Sequence, residues 1–336
     1  MPVVSSLILP HGTMVFDGGE AGYSPSAAQR IDTLPESIKG DCQTLFRAAC
    51  AAADMAKATK PDVIFLNTPH GICMPNAHCV YLNSSAKGNA EWNGQWMEYD
   101  INITLDSKLA KAFLEHLQTD NIPAEGMLAF GICEAPLRWG EVVPLWFFKD
   151  LTNAGVKVVI FSNPIHRPSA ELPLPEVTKV GRSVAKFLNS LEQRVLYIAS
   201  GDLAHTHKTD CALPLYLPDP RWNIPASEIA LTFDLCIERW LKCTPVDLDD
   251  IAGPAKTNER HLRVWDDTTC SVAEHWLSKG IELKGLALSC GIYGFGVLHG
   301  MLIAEVEKAA SYDAHLLCRL APTYYGMTVA AFIKRE

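Results

Sequence analysis

Lys60-Pro61-Asp62-Val63-Ile64-Phe65-Leu66-Asn67-Thr68-Pro69-His70-Gly71 is the stretch from which the architecture of this chain can be read. Its apolar run, Pro61 to Leu66, is nearly continuous and stops abruptly at a polar loop. A strand with one wet face would alternate apolar and polar residues, so this run suits a strand covered on both faces. The same pattern recurs along the chain. Val3 to Leu9 stops at Pro10-His11-Gly12, Met127 to Ile132 at Cys133-Glu134, and Val156 to Phe161 at Ser162-Asn163-Pro164. Arg194 to Ala199 stops at Ser200-Gly201-Asp202, and Leu283 to Leu288 at Ser289-Cys290-Gly291.

Helical spacing lies between these runs. Leu45, Ala49, Ala52 and Met55 recur about one turn apart, as do Val180, Val184, Phe187 and Leu191. Leu213 to Arg221 reads as a long loop or lid. Ile224 to Lys242 reads as a helix with Pro225 in its first turn, and Phe295 to Glu307 as an apolar helix. Strands alternating with helices predict an α/β fold, a mostly parallel or mixed central sheet with helices on both faces and right-handed crossovers. Ligands of such sheets bind beyond the carboxyl ends of the strands, so the polar loops should meet on one rim.

The composition sets limits on function. The 336 residues are 48% hydrophobic and 20% charged, a folded chain that we expect to form one domain over residues 1–336. Lys and Arg number 29 against 38 Asp and Glu, a net charge of -9 with no basic cluster, which argues against nucleic acid as a partner. Gly285 to Ala304 is the longest uncharged stretch, but its glycines, Ser289 and His299 read as buried structure rather than a membrane span. The first residues lack the features of a secretory signal, so a cytoplasmic location is expected. Eleven cysteines without a CxxC pair are expected to be mostly reduced thiols.

Two of the candidate strands end alike, in Leu9-Pro10-His11-Gly12 and Thr68-Pro69-His70-Gly71, each presenting a histidine after a stiffening proline. Two imidazoles at equivalent strand ends make half of a metal site. A third histidine follows in Ser200-Gly201-Asp202-Leu203-Ala204-His205, as a further ligand or a general acid/base, with Asp202 placed to orient it or accept its proton. The plainer reading is that Asp202 caps a turn. Cys290 is either a buried apolar residue or a thiolate near a metal. Glu134 and His166 also sit at strand ends and could line the same pocket. His78, His116, His207, His261, His275, His299 and His315 read as packing or surface residues. There is no GxSxG elbow, Walker loop or GxGxxG fingerprint.

Taken in order, Pro10-His11-Gly12, Lys60-Pro61-Asp62 leading to Thr68-Pro69-His70-Gly71, Ser200 to His205, and Cys290-Gly291 with its following helix resemble the catalytic chains of the class III extradiol ring-cleavage dioxygenases. That superfamily includes the Memo proteins. The resemblance implies that His11 and His70 hold iron, that His205 is the acid/base histidine, and that the partners are a small aromatic substrate and O2. A homo-oligomer is left open. Such a facial site leaves positions for a catecholate and for oxygen.

Two departures stand out. Ser289-Cys290 occupies the place of the dioxygenases' glutamate ligand, as in the Memo proteins, so the expected ligand set is His11, His70 and Cys290. Glu259 and Glu274 are alternative carboxylates, though neither follows a candidate strand. Arg138-Trp139-Gly140 stands where many ring-cleaving members carry Asp-His-Gly. The expected cofactor is Fe(II), with Zn or Cu as alternatives, because a thiolate is softer than a carboxylate. The leading function is ring cleavage of a catechol-type aromatic. The rivals are a Memo-like metal-binding or redox protein without ring cleavage, and a zinc metallohydrolase with His205 as base.

Overall fold

The computed structural model describes residues 2–19, 32, 34–131, 133–165, 173–205, 227–246, 256–258 and 260–335. In chain order, the first described elements are β1 (Val3–Leu9), a 3-10 helix (Thr13–Gly18), α1 (Glu36–Ala58), β2 (Val63–Thr68), β3 (His78–Tyr81), β4 (Ser85–Asn89) and β5 (Asp100–Thr104). Next come α2 (Ser107–Thr119), β6 (Ala124–Met127), β7 (Ala135–Leu137), α3 (Trp139–Trp146), α4 (Lys149–Asn153), β8 (Lys157–Ser162), α5 (Leu174–Leu188) and β9 (Val195–Ser200). The last are α6 (Glu228–Lys242), β10 (His261–Trp265), α7 (Cys270–Ala287), α8 (Ile292–Val306), β11 (Tyr312–Leu320) and β12 (Met327–Lys334).

The fold is α/β around a nine-stranded mixed sheet in the order β10-β11-β12-β1-β9-β2-β8-β3-β6. Its four middle strands, β1, β9, β2 and β8, run parallel. Antiparallel β10, β11 and β12 extend one side, and β3 reverses on the other. A second sheet, β5-β4-β7, stands apart. Strand β2 shows why its apolar run does not alternate. Val63 and Phe65 pack with Phe113, Val184 and Phe295 on one face, while Ile64 and Leu66 pack with Leu45, Ala49 and Val142 on the other. Among the described residues no helix is long and apolar enough to cross a membrane.

Two of the expected strands are corrected. Leu283 to Leu288 forms the last turns of α7, with Leu288 closing the helix at φ 57°. Leu, Lys and Ala are good helix formers, and an apolar run cannot by itself distinguish a buried strand from a helix end. Leu286 and Leu288 are in fact 60% and 44% exposed. The strand expected over Met127 to Ile132 lies earlier, at Ala124–Met127, because Phe130 and Gly131 take left-handed backbone, φ 51° and 67°. There the Asn83 side chain donates to the carbonyls of Ala129 and Gly131 and ends the ladder. The proposed lid, Leu213 to Arg221, and the start of the helix expected from Ile224 lie outside the described residues.

Helices α5 and α8 pack closely through glycines. A Cβ on Gly181 would lie 2.1 Å from the Val297 carbonyl oxygen, and one on Gly300 would lie 2.3 Å from that of Thr178. Backbone cannot yield as a flexible side chain can. Gly300→Val is therefore expected to lower stability by about 1–3 kcal/mol, the usual cost of overpacking. A urea unfolding midpoint unchanged from the parent would contradict this packing.

Candidate metal centre

The site follows from the sheet order. Strands β1, β9 and β2 are parallel neighbours, with Leu9 opposite Ser200 and Ala199 opposite Asn67. Their carboxyl ends therefore lie side by side and carry His11, Asp202 with His205, and His70 onto one rim, as expected of such sheets. Cys290 arrives differently. It lies in the connection between α7 and α8, held to the β9 loop where Gly291 N–H and the Ser289 hydroxyl both donate to the Asp202 carbonyl, at 3.1 and 3.0 Å. His205 N–H donates to the Ala287 carbonyl at 2.7 Å, tying the same loop to the end of α7.

The five chemical side chains singled out in the sequence converge. The ligand atoms of His11, His70 and Cys290 lie within 4.8 Å of one another, and so do those of Asp202, His205 and Cys290. The His11 and His70 rings meet edge to face at 4.6 Å between centroids. Cys290 Sγ is 3.2 Å from His11 Nε2, and Asp202 Oδ2 is 3.3 Å from the same nitrogen. The Ser200 hydroxyl donates to the Gly140 carbonyl at 2.9 Å, so it accepts from His11 Nδ1 at 3.0 Å. That bond fixes the tautomer and turns the Nε2 lone pair toward the cluster.

Burial governs the protonation of these groups. It pulls His11 down to about 3, helped by the charge of His205, and holds His70 well below its ordinary value, with His11 and His205 adding to the effect. Both imidazoles are thus neutral and competent to ligate. Burial pushes Asp202 up to about 6 against the opposing charge of His205, and it raises the Cys290 thiol further, assisted by Asp202. A bound cation would reverse the shifts of the two acids. The donor set fits a transition-metal ion: a nitrogen about 2.1 Å and a sulfur about 2.3 Å from one ion stand roughly 3.1–3.6 Å apart. The 3.2 Å separation of His11 Nε2 and Cys290 Sγ falls in that range.

His11, His70, Asp202 and His205 line a cavity of about 300 Å³ whose walls also include Trp92, Trp139, Tyr324 and Tyr325. Tyr325 stacks on the His205 ring at 5.4 Å and 14°. Trp139 lies 5.5 Å from His70 and packs against Trp92 at 4.7 Å. The next residue, Gly140, packs so tightly that a Cβ there would sit 2.6 Å from that of His70.

Glu134 does not join the pocket; it forms an ion pair with Lys87 at 2.9 Å. Glu274 is exposed on α7 and is no alternative ligand here. His166, His207 and Glu259 lie outside the described residues. The remaining histidines are outside the cavity wall: His78 contacts the Tyr293 hydroxyl, His116 the Ser183 carbonyl, and His299 accepts from Trp240. Sequence reasoning assigned no role to Ser200, although it stands two residues before Asp202. It also missed Trp92, Tyr324 and Tyr325, which no local signal marks.

With fold and site in hand, the relatives give the class. Residues 24–242 match the catalytic LigB subunit of aromatic ring-opening dioxygenases, and the chain belongs to that family. The matched span contains His70, Asp202 and His205. A 2,3-dihydroxyphenylpropionate/2,3-dihydroxicinnamic acid 1,2-dioxygenase of Mycobacterium ulcerans (strain Agy99) is 28% identical over 182 residues, 53% of this chain and 51% of that protein. The chain thus spans about half the length of this curated relative. The crystal structure of an uncharacterised Escherichia coli K12 protein shares the fold, with a TM-score of 0.54 at 14% identity over 98% of this chain and 99% of that one.

One buried acid supports the rim. Asp234 on α6 accepts from Ala204 N–H at 3.0 Å, beside His205. Burial pushes its carboxyl from 3.8 up to about 7, against that hydrogen bond and the charge of Arg319. The folded state therefore binds this proton more tightly than the unfolded state does. The stability so gained is complete below about pH 4 and is lost as pH rises through about 7. Asp234→Asn keeps an acceptor for Ala204. Its melting temperature is expected to exceed the parent's at pH 8 and to match it near pH 4; an equal difference at both would show that Asp234 does not titrate this way.

Proposed function

We propose that this protein opens the ring of a catechol-type aromatic with O2, using an ion held by His11, His70 and Cys290. The reading is carried by one observation: two neutral imidazoles and a thiol converge beneath an aromatic-walled cavity in a chain of this family. Fe(II) is the ion that suits the reaction, and when bound it would supply redox chemistry toward O2 and a Lewis acid for the diol oxygens. The chain supplies the rest. Trp92, Trp139 and Tyr325 offer flat apolar faces that would orient a planar ring and exclude water. His205 donates from Nδ1 to the Leu203 carbonyl at 2.9 Å, so in its neutral form the ring lone pair lies on Nε2. We assign it the proton from a substrate hydroxyl, with Asp202 nearby to favour the imidazolium that forms.

A second reading rests on Cys290. A thiolate beside His11 suits Zn or Cu and a Memo-like metal-binding or redox role without ring cleavage. Oxygen uptake separates the two: the Fe(II)-loaded protein is expected to consume O2 with a panel of catechols, and none consumed would favour the second reading. His11→Ala and His70→Ala are expected to abolish stoichiometric metal binding. His205→Ala is expected to keep the ion and lose about 10²–10⁴-fold in turnover. Metal retained by both ligand variants would remove the proposal.

A further inference from the structure

We infer that the buried amide pair of Asn67 and Asn163 is a positioning device for this metal centre: it seats the first turn of α8 and thereby sets how far the Cys290 thiol reaches toward the two histidines. The inference rests on the metal-site reading above and assigns a role to residues outside the cavity wall. Asn67 breaks the apolar run of β2 although every residue of that strand is buried. A polar side chain at such a place costs free energy unless its groups are paired. Its partner is Asn163, just past the end of β8. Asn67 Nδ2 donates to Asn163 Oδ1 at 2.6 Å, and Asn163 Nδ2 donates back to Asn67 Oδ1 at 3.2 Å. The Asn163 N–H also donates to the Thr68 carbonyl at 2.9 Å, so the pair is tied to both strand ends.

Helix α8 rests on this pair. A Cβ on Gly294 would lie 2.9 Å from Asn67 Oδ1, 3.7 Å from Asn163 Nδ2 and 3.9 Å from the Ser200 carbonyl oxygen. About one turn earlier there is a second bearing point, where a Cβ on Gly201 would lie 2.5 Å from Gly291 Cα. Two close backbone contacts, one to the β9 loop and one to the amides, fix the height and tilt of the turn that begins beside Cys290. Asn67 also stands three residues before His70 on the same segment. One side chain thus gauges the distance between the segment that presents an imidazole and the helix that follows the thiol.

The size of the effect decides that this contact matters to the ion. Ordinary van der Waals contact begins near 3.4 Å, so a methyl group on Gly294 must part α8 from the amides by about 0.5 Å. Metal–ligand distances hold to within about 0.2 Å. A displacement of that size at the start of α8 is enough to take Sγ out of ligation, while the imidazoles, carried by the sheet, stay in place.

The test is Co(II) loading of the full chain, read in two regions of the absorption spectrum. The visible bands report that an ion is bound, and the near-ultraviolet thiolate-to-cobalt charge-transfer band reports sulfur on it. The parent is compared with Gly294→Ala, Asn67→Ala and the double variant. Each single variant is expected to bind Co(II) about 10–100-fold more weakly, as loss of a supporting partner does, and to show a weaker charge-transfer band per bound ion. In the double variant the added methyl enters space that the amide vacated, so much of the band and of the affinity is expected to return. Two merely destabilising substitutions would add instead of cancelling. Asn67→Ala opens space rather than filling it, and it tests the seat even where Gly294→Ala does not fold. A full-strength band in the folded single variants, or no recovery in a folded double variant, overturns this inference alone. A parent that binds Co(II) without the band removes Cys290 from the ligand set and this inference with it, whereas a parent that binds no Co(II) sinks the metal centre as a whole.

Discussion

The hydrogen-bonded alignment of β1, β9 and β2 is the constraint on which the site rests. Leu9 stands opposite Ser200, and Ala199 opposite Asn67, so three loops leave the sheet at the same height. Side chains of a strand alternate faces, and a slip of one residue in either pairing would turn every core residue of that strand outward. The two apolar clusters therefore lock the register, and the register sets the separation of the imidazoles. No side chain at the rim has to determine its own position.

A second layer of order connects that rim to the small sheet. The Gly140 carbonyl at the start of α3 accepts from both Thr68 and Ser200, the residues that end β2 and β9. Glu141, one residue on, is buried and accepts from the Tyr81 hydroxyl at 2.7 Å and from Arg138 N–H at 3.1 Å. The Tyr81 hydroxyl in turn accepts from Ile72 N–H at 2.6 Å, just beyond His70. The segment Arg138-Trp139-Gly140, which departs from the ring-cleaving pattern, thus does two things in this chain. Its glycine braces both strand ends, and its tryptophan walls the cavity.

The sequence was most legible where burial decided the pattern. Val3 to Leu9 matches β1 residue for residue, and the runs ending at Leu66, Phe161 and Ala199 mark β2, β8 and β9 with ends shifted by one or two positions. It was least legible where an apolar run had two solutions. Leu283 to Leu288 looked like a strand and is a helix end, so Cys290 reaches the cluster from between two helices rather than from the sheet. The cysteine was found through its neighbours in the motif, not through a correct picture of its support. The antiparallel strands β10, β11 and β12 were not anticipated, and with them went any signal for the Tyr324-Tyr325 wall.

By itself the sequence determined the class of fold and the residue types at the rim, because solvent exclusion writes its period into the chain locally and a proline-histidine-glycine ending is visible in three residues. What only the tertiary structure decided is which of those residues touch. His11 meets Asp202 across 191 positions and Cys290 across 279, through strands whose spatial order departs from their chain order. Periodicity records how deeply a residue is buried and carries no information about its partner. The amide pair of Asn67 and Asn163, the tautomer set by Ser200 and the aromatic walls become readable only once the strands have paired.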